Sequence, residues 1–195
     1  IHIIKEGFIS LKNNKNLRTL ALDSIVIGLM AYFIIWLYQI ILKNFNVDIK
    51  YFGFVHAMLC LAQIIIMNNY EKLEKLFGSK KRVLFFSSFV TGIAMIICAI
   101  SGSLILTLIA FGIGVGFGYG RFPIISSYMN KYIESHNRAT VISGVSMFRR
   151  LFQAILNPLV GFLIVWSMNY TLIILGVVAI IFSFISKVEE KHLID

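Results

Sequence analysis

Six long runs of apolar residues, separated by short polar connections, dominate this chain of 195 residues. A helix needs about 20 apolar residues to cross ~30 Å of hydrocarbon, where no water can satisfy backbone groups. The runs are apolar on nearly all sides, whereas the strands of a membrane barrel alternate apolar and polar residues. The sequence therefore predicts an all-α membrane protein. A hydrophobic fraction of 58% and a charged fraction of only 14% agree with this prediction.

The chain divides into a transmembrane domain and two polar ends. Residues 1–19 are amphipathic and basic, which predicts a linker on the cytoplasmic membrane surface. Residues 187–195 form a charged cytoplasmic tail, and the domain over 20–186 lies between the two. Its spans are expected at about 20–42, 51–70, 83–100, 104–129, 139–165 and 170–186.

The orientation follows from lysine and arginine residues in the connections, because these residues stay on the cytoplasmic side. One side holds residues 1–19, 71–82, 130–138 and 187–195, which together carry thirteen of them. The other side has two, both in 43–50. We therefore expect both termini on the cytoplasmic side of a multi-pass protein, in the plasma (inner) membrane.

Charged residues within the predicted spans are confined to the first, second, fourth and fifth, and the third and sixth have few polar residues. The third and sixth carry no charged residue, which divides the chain into two repeats of three spans. An odd repeat must be inverted in the membrane, as in many secondary transporters. We expect the third and sixth spans to lie outermost. The polar residues in the other four are Asp23, His56, Gln63, Arg121, Arg149, Arg150, Gln153 and Asn157.

Three stretches carry a family resemblance. The connection 70–82 resembles the loop after the second helix of each half in the major facilitator superfamily. The stretch 138–143 resembles the start of that family's eleventh helix, and Asn157-Pro-Leu-Val-Gly161 is similar to the proline-glycine pair near its end. In the connection, an apolar residue and a glycine precede a basic cluster: Phe77, Gly78, Lys80, Lys81 and Arg82.

This resemblance implies half of a major facilitator fold, with helices seven to twelve of a transporter and part of the central linker before them. It also implies a gating loop at Gly78, Lys80, Lys81 and Arg82. The chain begins with Ile1 rather than Met, so we expect a fragment of a longer protein. The partners would be the missing N-terminal half, the lipid bilayer and a small-molecule substrate, with a coupling proton or ion as a further candidate.

The adjacent residues Arg149 and Arg150 lie about 16 Å past the predicted cytoplasmic end of their helix, near mid-depth. Such a cation needs a cavity or a partner. Neighbours differ by about 100° around a helix, so we expect only one of the two to face a cavity directly. Arg149 is expected to pair with another helix or to extend towards the cytoplasm. Arg150 shares a polar stripe with Ser143, Ser146, Gln153 and Asn157.

Two further charges lie within spans. Arg121 is about 15 Å from the cytoplasmic end of the fourth span, and we favour a structural charge over a direct substrate contact. Asp23 is the only acid in any predicted span. An ion pair with Arg121 or Arg149 is the favoured interpretation, and a proton-coupling carboxylate is the alternative.

Small and aromatic residues also recur at helical spacing. Glycines at every second position from Gly112 to Gly120 form two rows, which favour close helix packing or a bend during gating. We expect His56 to be a hydrogen-bonded core residue rather than a proton relay. Two stripes suit either a mixed substrate cavity or packing. They are Gly28, Tyr32, Trp36 and Gln39 on the first span, and His56, Cys60, Gln63 and Met67 on the second.

The leading interpretation is therefore a secondary active transporter of a small solute, with import or export left open. A channel or a non-transporting membrane scaffold is the alternative. An intramembrane enzyme is disfavoured because Val141-Ile-Ser143-Gly144 lacks the first glycine of a Gly-x-Ser-Gly nucleophile. No metal or cofactor is expected. No nucleic-acid partner is expected either, since the basic residues are spread over short connections and do not form one soluble face. Cys60 and Cys98 are expected to be inert core thiols.

Overall fold

The computed structural model of the chain describes Ile9 and residues 12–193. Six helices in this part are long and apolar enough to cross a membrane, and no β-strand occurs among the described residues. The predicted all-α fold is confirmed. The first to sixth spans are Lys15–Asn44, Ile49–Asn68, Lys80–Ile100, Leu104–Lys131, Arg138–Trp166 and Met168–Ile185.

The polar ends of the chain are only partly described. The predicted linker over 1–19 falls mostly on residues 1–8, 10 and 11, which lie outside the described part. From Lys15 onward the chain already belongs to the first span. The tail is described up to Leu193 and contains a single helical turn, Glu190–His192.

Helix boundaries in the structure coincide with residues that cap backbone groups. The side chains of Asn14, Ser79 and Ser167 each accept a hydrogen bond from a backbone N–H in the first turn of a span. Such caps satisfy donors that have no partner within the helix. The short helix Tyr70–Phe77 ends at Gly78, whose φ of 80° is the left-handed conformation that favours glycine.

The contacts between the spans follow the pattern of two repeats of three. The third span packs on the sixth, and the first packs on the fourth. The second packs on the fourth as the fifth packs on the first, and the third packs on the fourth as the sixth packs on the first. If the two repeats are exchanged, the first two contacts map onto themselves and the others map onto each other in pairs. Because each repeat has an odd number of spans, the repeats cross the membrane in opposite directions.

The glycine rows of the fourth span form close helix contacts, as one of the two interpretations predicted. A methyl group added at Gly114 would lie 2.7 Å from the Cβ atom of Ala94 on the third span. On the other row, one added at Gly116 would lie 3.1 Å from the carbonyl oxygen of Ala62 on the second span. The fourth span therefore packs against neighbours on two sides at distances that larger residues would prevent.

The third and sixth spans approach each other most closely at a pair of glycines. A methyl group added at Gly176 would lie 2.7 Å from the carbonyl oxygen of Gly92, and one added at Gly92 would lie 2.6 Å from the carbonyl oxygen of Gly176. Both obstacles are backbone atoms, which cannot move aside as a flexible side chain can. This contact joins the last spans of the two repeats into one layer.

We predict that Gly176→Ala lowers the stability of the protein by about 1–3 kcal/mol, because the added methyl group forces the two backbones apart. Gly112→Ala is the matched control, since a methyl group at Gly112 meets nothing within 4 Å. The control should be neutral or more stable by up to about 1 kcal/mol, because alanine is the better helix former. Thermal unfolding of the full-length protein in detergent measures both, and equal stability of the two variants would contradict the packing.

Candidate functional site

A cavity of about 580 Å³ opens on one face of the bundle, between the first, second, fourth and fifth spans. None of the described lining residues comes from the third or sixth span, in agreement with the expectation that those two lie outermost. The lining mixes hydroxyl, amide, guanidinium and apolar groups, as ligand cavities do. It consists of Ser24, Gly28, Tyr32, Gln63, Tyr119, Phe122, Pro123, Ser126, Met129, Ile142, Val145, Ser146, Arg149, Arg150 and Gln153.

Arg150 lies on the cavity wall with two members of its predicted polar stripe, Ser146 and Gln153. Its side chain is exposed, and it forms no hydrogen bond or ion pair with any described residue. The other members of the stripe, Ser143 and Asn157, are not part of the lining. The structure therefore leaves one guanidinium free within the cavity.

Arg149 also lines the cavity, which corrects the expectation that only one of the two neighbouring arginines would reach it. Both long side chains reach the cavity, although the two residues are separated by about 100° around the helix. The guanidinium carbon of Arg149 lies 4.7 Å from the ring centroid of Phe122, within the range of a cation–π interaction. A methyl group added at Gly28 would lie 2.6 Å from Cζ of Phe122, so this glycine makes room for the ring.

A polar contact above the cavity joins the first and fifth spans. The Nδ2 atom of Asn157 donates a hydrogen bond to the hydroxyl of Tyr32 at 3.2 Å, and the ring of Tyr32 stacks on Trp36. Trp36 is exposed and lies outside the lining. The Oδ1 atom of Asn157 is buried and has no hydrogen-bond partner among the described residues.

The remaining polar residues of the first two spans are divided between the cavity and the outer surface. Gln63 lines the cavity, whereas Gln39 is exposed and donates a hydrogen bond to the hydroxyl of Tyr38 at 3.3 Å. His56 is exposed, so the prediction of a core histidine is wrong. Its ring lies 5.6 Å from that of Tyr38. The reason is that the second span buries only Leu59 within this chain, which leaves its other faces uncovered.

A buried ion pair lies behind the cavity wall. Arg121 donates hydrogen bonds to a carboxylate oxygen of Asp23 and to the hydroxyl of Ser88, and both charged side chains are almost fully buried. The other carboxylate oxygen of Asp23 accepts a hydrogen bond from Ser186 at 2.9 Å. The predicted ion pair of Asp23 is thus formed with Arg121 and not with Arg149. Neither partner lines the cavity, as a structural role requires.

The predicted gating loop is joined to the tail of the chain. The backbone N–H groups of Lys80 and Lys81 donate to the carboxylate of Glu190 at 3.1 and 2.9 Å. Glu190 therefore places a negative charge at the N-terminus of the third span, where the helix dipole favours it. The ammonium group of Lys80 is buried and donates to the carbonyl oxygen of Leu193 at 3.3 Å. Arg82 donates back to the carbonyl oxygen of Phe77 at 3.3 Å.

The tail itself is folded against the start of the third span and the end of the fourth. His192 is buried, and its Nδ1 atom accepts a hydrogen bond from the backbone N–H of Glu189 at 3.0 Å. Burial lowers the pKa of His192, which favours the neutral ring, and the hydrogen bond from Glu189 requires the form in which Nδ1 accepts. Tyr132 donates to the carbonyl oxygen of Lys191 at 3.1 Å.

Sequence reasoning missed Phe122, Ser88, Ser186 and Glu190. Phe122 and Ser88 carry no signal of their own, because an aromatic ring or a serine in a membrane helix is ordinary. Glu190 could have been considered, since an acid close after the last span can reach the positive end of a helix on the same side.

Comparison with known proteins agrees with this architecture. A family model described as "Major Facilitator Superfamily" matches residues 20–192, which covers all six spans and most of the described tail. No curated protein and no solved structure matches the chain.

We predict that Arg121→Leu destabilises the protein by about 3–5 kcal/mol, because it leaves the carboxylate of Asp23 buried without its cation. Asp23→Leu should cost a similar amount for the converse reason. The double variant should lose much less than the sum of the two, since two apolar side chains replace the pair together. Thermal unfolding in detergent measures all three, with Arg138→Leu at an exposed arginine as control. Additive losses would show that the two charges act separately.

Proposed function

The chain belongs to the Major Facilitator Superfamily, a family of membrane transporters, and from this premise we propose that it moves a small solute by alternating access. We propose further that transport is secondary active and that this chain supplies the second six-helix half. The observation that carries the proposal is the cavity of mixed polar and apolar lining between the first, second, fourth and fifth spans. Secondary transporters hold their substrates at such a place, between two halves.

The uncovered spans support a partner half. In the first span, 17 of 30 residues are buried within the chain, whereas the second span buries only Leu59 and the fifth only Val141, Val145 and Val160. These two spans flank the open side of the cavity. A second bundle of six helices placed there would cover them and close the cavity, as the N-terminal half of a transporter would.

Features of the helices support a movement in which the tied spans stay together. The buried pair of Asp23 and Arg121 ties the first, third and fourth spans together and should persist during transport. Bending is expected where a proline removes a backbone hydrogen bond, at Pro123 on the fourth span and at Pro158 on the fifth. A proton-coupling role of Asp23 would require this pair to open.

We place both termini in the cytoplasm of a cell whose plasma (inner) membrane holds the protein. The thirteen lysine and arginine residues on one side, against two on the other, support this orientation. Under this proposal the loop at Gly78 and the docked tail face the cytoplasm together.

We predict that cysteines at Lys50 and Lys75 are labelled from opposite sides of the membrane. Both lysines are exposed, so Lys50→Cys and Lys75→Cys form a matched pair of variants. In intact cells, a membrane-impermeant maleimide should label the cysteine at position 50 and leave the one at position 75 unlabelled until the membrane is opened. Labelling of both in intact cells would contradict the proposed orientation.

We predict that Arg150→Leu abolishes transport without loss of stability. The substitution removes the free cation from the cavity and replaces a group that is unfavourable in the membrane by an apolar one. Arg150→Lys should retain part of the transport, because it keeps the charge but loses the planar set of donors. Thermal unfolding in detergent reports stability for the same variants.

The transport measurement uses proteoliposomes that hold the full-length protein and a panel of labelled organic acids, sugars and amines. A secondary active transporter accumulates its solute above the outside concentration only when an ion gradient is imposed. Uptake that merely equilibrates with or without a gradient would instead show passive transport, by a channel or by an uncoupled carrier. Normal uptake by Arg150→Leu would remove Arg150 from the transport path.

A further inference from the structure

The charged groups among the described lining residues of the cavity are all positive. Its lining includes the guanidinium groups of Arg149 and Arg150, and no acidic residue among the part of the chain that the structure describes. The single acid within the spans, Asp23, is buried behind the wall and neutralised by Arg121. The cavity surface of this chain therefore carries two positive charges and no compensating negative charge.

The two arginines are not equivalent. The guanidinium of Arg149 lies over the ring of Phe122. This cation–π interaction stabilises the charge of Arg149 and holds its side chain against the cavity wall. Arg150 has no such contact and remains exposed to the cavity. A guanidinium presents several donors in one plane, a geometry that matches the two oxygens of a carboxylate or sulfonate. Arg150 is therefore the group available to a ligand, and Arg149 adds a fixed positive charge beside it.

Neutral donors stand next to Arg150. Ser146 precedes it by four residues and Gln153 follows it by three, so both lie on the same face of the fifth span. The hydroxyl and the amide N–H groups can donate to oxygens that the guanidinium leaves unbound. Phe122 and Tyr119 on the fourth span, and Ile142 and Val145 on the fifth, add apolar surface to the lining.

We propose that this cavity selects a small organic anion, whose charged group pairs with Arg150 between Ser146 and Gln153 and whose apolar part rests near Phe122. The inference rests on the proposed transport function and specifies its substrate class. The ligand supplies the negative charge that the free cation lacks. An acid from the partner half that paired with Arg150 would remove the selectivity, and the experiment below detects that outcome.

The test measures the charge preference of the cavity without knowledge of the natural substrate. Ser146→Cys is introduced into the full-length protein after Cys60→Ala and Cys98→Ala remove the native thiols. In proteoliposomes, the cysteine reacts with negatively charged sulfonatoethyl methanethiosulfonate or with positively charged trimethylammonioethyl methanethiosulfonate. The ratio of the two rates is divided by the same ratio for a free thiol in solution. A change in the pKa of the cysteine cancels in this ratio.

We expect the anionic reagent to be favoured by about tenfold or more, which one unit charge a few ångströms away can produce in a partly hydrated site. Arg150→Gln should reduce this preference severalfold, and Arg150→Lys should keep most of it. Arg138→Gln is the matched control, because it removes an exposed arginine from the same helix outside the cavity. Its ratio should remain that of the parent.

A ratio near that of the free thiol, or one that Arg150→Gln leaves unchanged, would overturn the proposal. The same would follow if neither reagent reached the cysteine. If Ser146→Cys does not insert into the membrane, Gln153→Cys reports from the other side of Arg150. Failure of the transport function is seen separately: a cysteine that reacts from only one side of the membrane under all conditions excludes alternating access, whatever its charge preference.

Discussion

The buried ion pair between Asp23 and Arg121 is the interaction on which the end of the bundle nearest the tail depends. Two charges in a membrane interior are unfavourable unless each finds a partner, so the helices that carry them must meet. Ser88 and Ser186 complete the hydrogen bonds of the pair and bring the third span and the end of the sixth to the same point. These hydrogen bonds join four of the six spans behind the cavity. They hold the first and fourth spans, which contribute to the cavity lining, in position.

Arg121, Arg149 and Arg150 show how surroundings decide the role of one kind of side chain. Arg121 is paired with an acid and almost fully buried, which makes it part of the scaffold. Arg149 is held by an aromatic ring at the edge of the cavity. Arg150, the next residue, has neither kind of partner and faces open space. The charge is the same in each case, but only the third arrangement leaves a guanidinium that can bind a ligand.

The sequence predicted the features that depend on local composition. It did not predict those that depend on contacts with residues distant along the chain. Apolar runs were sufficient for the six spans, and charge-free third and sixth spans were sufficient to exclude them from the cavity. The partner of Asp23 could be narrowed to two arginines but not chosen, because the choice depends on how the first and fourth spans pack. The burial of His56 was mispredicted, since periodicity gives the face of a residue but not whether another helix covers it. The cap formed by Glu190 depends on a tail contact about 110 residues distant.

The distribution of strong and weak contacts limits how such a bundle can move. Separation of Asp23 from Arg121 would expose each charge to the membrane interior at a cost of about 3–5 kcal/mol, and the backbone contact at Gly92 and Gly176 leaves no room for sliding. The second and fifth spans have the least buried surface, and the fifth carries both Arg150 and an internal proline. A conformational change that keeps the tied spans together and moves the fifth would shift Arg150 relative to Arg149 and Phe122. The charge of the cavity would then change with the movement, because Arg150, which has no partner among the described residues, lies on one of the two least buried spans.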